Sequence, residues 1–155
     1  MNKQRAIICD IDECLLDSSQ PLMMLQRAQT TTSSTEAWDM FYNNLHLCKR
    51  NEWCYELLEK LTTDNNIVVL FITGRAERAR KHTEAYLKFK NNLSYQLFMR
   101  PDNCFEPDHV VKLEIVNELL NVYDITLALD DRESNCCIYR SLGITTLKVD
   151  SRELH

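Results

Sequence analysis

The chain reads as an α/β three-layer sandwich, a central parallel sheet covered on both faces, with a small helical insertion after its first strand. Three observations lead there. Five short apolar runs rich in β-branched residues recur along the 155 residues. The segments between them carry helical spacing, and the runs that can be checked end in reactive side chains. Continuous apolar runs suit strands buried on both faces, and strand alternating with helix implies right-handed crossovers.

The first run covers residues 6–11 and is followed by a stretch unlike the rest. At about 17–50 two helical pieces, 21–28 and 36–47, flank a polar tract of Thr and Ser at 30–35. We read this stretch as a cap inserted over the end of the sheet, within a single domain spanning 1–155. A helix over 52–61 follows, expected to bury Trp53, Leu57, Leu58 and Leu61 on one stripe. The second and third strands are placed at 67–72 and 95–99. A helix over 110–120 presents Val110, Val111, Leu113, Val116, Leu119 and Leu120 to the core. The fourth strand is placed at 125–129, a helix at 132–142 and the last strand at 145–149. The chain has two glycines. Gly143 stands where a left-handed residue ends a helix, and Gly74 follows the second strand, where backbone approaches a ligand or opens a helix.

At 45% hydrophobic and 26% charged, the composition is that of a soluble globular domain. The apolar run near the N-terminus is short and interrupted by Asp10, so it is not a signal peptide, and no stretch is long enough to span a membrane. A cytoplasmic location is the expectation. The seven cysteines form no C-x-x-C pair and are expected to be reduced; His46, Cys48 and Cys54 fall short of a zinc set, and Cys136 and Cys137 are expected to be buried on a helix. A net charge of −5 argues against coating nucleic acid by bulk electrostatics. Within residues 75–90, however, six basic side chains face only Glu77 and Glu84.

The chemistry gathers at the strand ends. The first strand runs into Asp10-Ile11-Asp12, the second into Thr73-Gly74-Arg75 and the fourth into Asp130-Asp131-Arg132, while Lys112 lies near the start of the helix at 110–120. Ligands of open α/β sheets bind outside the carboxyl ends of the strands, so these residues converge on one crevice. Two unit charges 4 Å apart repel by about 4 kcal/mol at an effective dielectric near 20. Four carboxylates together therefore call for a hard divalent cation, and Mg²⁺ leaves positions for water and a substrate phosphate. Lys112 and Thr73 supply donors for phosphoryl oxygens. The combination fits phosphoryl transfer better than glycoside hydrolysis.

The set CDIDECLLD, FITGR, PDHVVK and LALDDR resembles the four motifs of the haloacid dehalogenase (HAD) superfamily. The resemblance implies a HAD-like, Rossmann-type fold and a phosphatase. Asp10 would attack phosphorus; Asp12 would protonate the leaving oxygen and then activate water. Thr73 and Lys112 would hold and neutralise the phosphoryl group. Mg²⁺ would be held by Asp10, the Asp12 backbone carbonyl and the Asp130-Asp131 pair. The chain is more narrowly similar to the 3′-phosphatase domain of polynucleotide kinase/phosphatase enzymes. That likeness implies substrate contacts at Gly74, Arg75, Arg100, Asp108 and Arg132. Glu13 and Cys14 depart from it, standing where the family has Gly-Thr. No G-x-x-x-x-G-K-[ST] occurs, so a kinase half is not encoded in this sequence.

Removal of 3′-phosphates from polynucleotide ends is thus the expected activity, with a mononucleotide phosphatase as the alternative. A separate kinase or ligase partner is expected beside the substrate. A phospho-accepting receiver domain is disfavoured because its acidic pair would follow the first strand and its lysine the last. A catalytically dead binding relative is disfavoured because nucleophile and lysine are both kept.

Overall fold

The structure, a computed structural model, describes residues 2–64 and 66–150. Its main sheet has five parallel strands: β1 (Gln4–Cys9), β4 (Ile67–Ala76), β5 (Tyr95–Arg100), β6 (Tyr123–Asp130) and β7 (Thr146–Lys148). They lie in the order β5-β4-β1-β6-β7, so the chain steps outward on one side of β1 and then outward on the other. The reversal places a crevice at the carboxyl end of β1. Pairing of Ile8 with both Leu70 and Ala128 fixes the register of the three central strands.

Strand alternation divides the core. Ile7, Cys9, Val69 and Phe71 point to one face, where α3 (Glu52–Leu61) supplies Cys54, Tyr55 and Leu58. Ala6, Ile8, Val68, Leu70 and Ile72 point to the other, against Val116 and Leu119 of α5 (Asp108–Leu119) and Tyr139 of α6 (Glu133–Ser141). The fold is therefore the HAD-like Rossmann sandwich expected from the sequence, with each of the five strands where an apolar run lies.

A short antiparallel ribbon, β2 (Leu16–Asp17) with β3 (Lys49–Arg50), follows β1. Between its strands the chain makes α1 (Ser19–Gln29), α2 (Ser34–Asn43) and a 3₁₀ turn, Leu45–Leu47. The polar tract between the helices ends in a capping box. Ser33 Oγ accepts from the Glu36 N–H, and the Glu36 carboxylate accepts from the Ser33 N–H.

The structure corrects several sequence readings. In α3 the helix is rotated from the expected stripe: Trp53 is 45% exposed and Leu61 is also on the surface, because Cys54 and Tyr55 reach the core beside Leu58. Strand β4 runs through Gly74 to Ala76, with an irregularity between Thr73 and Ala76. Leu113 of α5 is only half-buried, and Lys112 takes a place on the buried face. Of the vicinal pair, Cys136 is buried and Cys137 exposed, since adjacent helix positions face about 100° apart. Gly143, at φ +78°, is the left-handed residue after α6. Among the described residues no helix is long and apolar enough to cross a membrane.

Candidate active site

Asp10 leaves the end of β1 with its N–H donating to Leu129 O of β6 at 2.9 Å. Helix α5 starts at Asp108, and its first turns aim Lys112 at the same point. Lys112 Nζ donates to Asp10 Oδ1 at 2.9 Å and to Asp130 Oδ2 at 2.7 Å, and lies 3.6 Å from Asp108 Oδ2. Burial works against the ammonium, but Asp10, Tyr139, Asp130 and Asp108 around it hold it charged, well above its usual range. Asp10 moves the other way for an acid. Burial pushes its pKa well up; Lys112 opposes this, and Asp130 and Asp131 add to it.

Asp130 is fully buried and saturated. Besides Lys112 it accepts from the Arg132 N–H, from Asn135 Nδ2 at 3.0 Å and from Tyr139 Oη at 3.1 Å. Asp131 is half-buried and faces Asp10; burial and then the Asp130 charge raise its pKa. Carboxylate oxygens of Asp10, Asp130 and Asp131 all lie within 4.8 Å of one another. Three hard oxygen donors at that spacing, with two of the acids driven away from ionisation, are a donor set that fits Mg²⁺. A second group, the buried thiols of Cys9, Cys14 and Cys54, lies in the core behind Asp10, with Cys9 Sγ 3.8 Å from each of the others. Cys48 is not part of it; its Sγ lies by Arg75 and Ser18.

Asp12 is held from two sides. Arg75 Nη2 donates to Oδ1 at 2.6 Å and Nε to Oδ2 at 2.9 Å, while Ser18 Oγ donates to Oδ1 at 2.5 Å. Burial disfavours the carboxylate, but Arg75 and Ser18 outweigh it and lower the pKa. Arg75 is itself buried, its remaining donors reaching Thr83 Oγ1 and Cys48 Sγ. Thr73, also buried, accepts from the Arg75 N–H, leaving its hydroxyl proton to donate elsewhere. Glu13 has φ +61°. Glycine is at ease in this left-handed conformation, and here it is anchored by the Glu13 carboxylate accepting from the Ser18 N–H at 2.8 Å.

Gly74 serves a side chain. A Cβ there would collide with Asp108 Oδ1. Arg100 closes the same corner, donating from Nε to Gly74 O at 3.0 Å and from Nη1 to Glu106 O at 2.6 Å, with Nη2 3.5 Å from Asp108. Arg132 is exposed, with its charge felt by Asp108 and Asp131. The structure thus gathers Asp10, Asp12, Thr73, Lys112, Asp130 and Asp131 in one crevice with Gly74, Asp108 and Arg132 around it. Arg75 and Arg100 have their donors turned to protein groups. Ser18, Asn135 and Tyr139 were missed by the sequence reading. The i, i+4 spacing of Asn135 and Tyr139 on the helix after Asp130 was the available signal.

Residues 4–153 match the family model described as the polynucleotide kinase PNKP phosphatase domain. The chain belongs to that family. Among solved structures, a chain of a Pnkp1/Rnl/Hen1 complex superposes with a TM-score of 0.68 at 22% identity, covering 98% of this chain and 48% of that one. A HAD family enzyme from Bacteroides thetaiotaomicron, solved with magnesium and inorganic phosphate, gives 0.57 at 15% identity over 96% of this chain and 95% of that one. In sequence, 89 residues, 56% of this chain, are 27% identical to 13% of a protein of Autographa californica nuclear polyhedrosis virus named "Putative bifunctional polynucleotide kinase/RNA ligase". This PNKP-type phosphatase domain therefore spans about half of the first structural relative and a small part of the viral one.

Proposed function

We propose that this domain is a Mg²⁺-dependent phosphomonoesterase that removes phosphate from the 3′ ends of polynucleotides through a phosphorylated Asp10. The observation that carries the reading is the buried ammonium of Lys112, bonded at once to Asp10 and Asp130 in an otherwise acidic crevice. An oxygen of Asp10 attacks phosphorus as the ester P–O bond breaks, and Asp12 gives a proton to the departing 3′ oxygen. Water, losing a proton to Asp12, then attacks the same phosphorus, releasing phosphate and restoring Asp10. Asp12 regains from that water the proton it gave in the first step. The Arg75 and Ser18 contacts, by favouring its carboxylate, make protonated Asp12 a ready donor and leave it the acceptor the second step needs. Lys112 and the Thr73 hydroxyl stabilise charge on the phosphoryl oxygens. Mg²⁺, held by Asp10, Asp131 and Asp130 with the Asp12 carbonyl, would neutralise the carboxylates and the incoming phosphate.

The 3′-end reading is supported by the family to which the chain belongs and by the exposed Arg132 beside the crevice. A mononucleotide substrate is the second reading, favoured by the net charge of −5. Helices α1 and α2, within the insertion at about 17–50, serve as its cap. The chain's likeness to proteins of a Pnkp1/Rnl/Hen1 complex and of a kinase/ligase supports a kinase or ligase as partner.

Phosphate release is measured with Mg²⁺ and with EDTA on a 3′-phosphorylated oligonucleotide, a 3′-mononucleotide and a 5′-mononucleotide. Metal-dependent release chiefly from the oligonucleotide is expected, and Asp10→Asn should abolish it. Release chiefly from mononucleotides would make the domain a nucleotidase, and near-native turnover by Asp10→Asn would end the covalent mechanism.

A further inference from the structure

Two exposed aromatic side chains stand on either side of one short turn at the edge of the crevice. The turn, Glu77–Ala79, follows β4 directly and carries Arg78. On one side it is tied to α2. Arg78 pairs with Asp39 at 3.1 Å, and its guanidinium lies 4.6 Å over the Tyr42 ring, while Tyr42 Oη accepts from the Ala76 N–H at 3.0 Å. Trp38, 38% exposed, leans on Tyr42 and meets Phe41 edge-on at 5.7 Å. Phe41 in turn lies 5.9 Å from the guanidinium carbon of Arg75, the residue that grips Asp12.

On the other side the Arg78 N–H donates to Asp102 Oδ1 at 3.1 Å, anchoring the loop 101–107. That loop is wrapped around Arg100, which binds the carbonyls of Cys104 and Glu106 and is bonded to Gly74. Phe105 sits between those two carbonyls and is 89% exposed. A single exposed aromatic is ordinary on a protein surface. Here two of them belong to elements pinned to the same basic turn: Trp38 reaches Arg75 through Phe41, and Phe105 lies on the loop whose carbonyls hold Arg100.

We propose that Phe105 and Trp38 form a stacking platform for the unpaired nucleobases next to the scissile 3′-phosphate. The occupant follows from the surroundings. Arg78, on the turn to which both elements are tied, keeps a half-exposed guanidinium over the ring of Tyr42, on which Trp38 leans. Flat π-faces beside cations are how single strands are held without sequence preference. The proposal rests on the 3′-end reading and deepens it, since it gives the oligonucleotide a contact that a small ester lacks.

The test compares kcat/KM for three substrates: a 3′-phosphorylated single strand, the same strand with abasic residues at its last two positions, and a small aryl phosphate. Phe105→Ala should lower turnover of the base-bearing strand roughly 5- to 150-fold, the effect of about 1–3 kcal/mol per stacked base. It should leave the abasic strand and the aryl phosphate unchanged. Phe105→Tyr should restore the rate, and Trp38→Ala should act in the same direction. Phe105 buries almost nothing, so its removal leaves the fold intact and its result stands if Trp38→Ala fails to fold. Unaltered use of the base-bearing strand by Phe105→Ala would overturn the platform and leave this face to a protein partner. Equal losses on all three substrates would also overturn it, showing a structural role. Activity on the aryl phosphate alone, in the unmutated protein, would instead remove the 3′-end reading beneath it.

Discussion

Asp10 is asked to be an anion in a place that disfavours anions. Burial and the neighbouring Asp130 and Asp131 raise its pKa further than Lys112 lowers it. An acid whose folded pKa is raised binds more protons folded than unfolded between the ordinary carboxylate pKa of about 4 and the folded value. Stability therefore falls as pH rises through that window and stays low above it. Replacing the carboxylate by a neutral isostere removes the penalty. In EDTA, Asp10→Asn should be more stable than the unmutated domain at pH 7, and the difference should shrink as the pH falls toward about 4. Urea denaturation across pH measures it. An equal or lower stability of Asp10→Asn at pH 7 would show that the Lys112 contact outweighs burial. Asp108 has the opposite sign. Burial raises its pKa, but Lys112, Asn135, Arg132 and Arg100 bring it below the ordinary value, so its contribution is present above that value and lost as pH falls through the folded one.

At the scale of elements, what the sequence disclosed was what has a period. The five strands and the helices against them were legible because apolar residues recur at the spacing of each element. The carboxyl-end residues were legible because strand ends gather in space. Three features had no such signal. The two-residue strands β2 and β3 are too short to show alternation. The rotation of α3 was hidden because Trp53 looked more hydrophobic than Cys54, yet the smaller thiol fits against Cys9 in the core while the indole stays outside. The turning of Arg75 toward Asp12 rests on Ser18, Cys48 and Thr83, residues scattered over 65 positions that no local pattern joins. The α2 N-terminus, by contrast, carries the S-x-x-E signature, and its capping box forms. Ser33→Ala should cost about 1 kcal/mol by loss of the cap. If α2 sits over the crevice as a cap, the loss should appear as faster hydrogen exchange in α1 and α2 with the sheet unchanged. Uniformly faster exchange would mean that these helices unfold together with the sheet.

For the whole molecule the acidic crevice links metal to stability. Asp10, Asp130 and Asp131 face one another at the carboxyl end of the sheet, with Lys112 bonded to the first two. A cation bound there stabilises only the folded chain, since the three carboxylates meet only when β1 and β6 are paired. At a concentration 100 times its dissociation constant a ligand adds about 2.7 kcal/mol. For a domain of this size each kcal/mol shifts Tm by about 2–4 °C. Mg²⁺ should therefore raise Tm by roughly 5–11 °C over EDTA. Asp131 faces Asp10 and is not saturated by protein donors as Asp130 is, so Asp131→Asn should abolish most of that shift while leaving the Tm in EDTA equal or higher. The comparison separates metal binding from catalysis, because Tm is read without substrate. A Tm indifferent to Mg²⁺ would take the cation out of the site, and a shift retained in Asp131→Asn would move its coordination to Asp10 and Asp130.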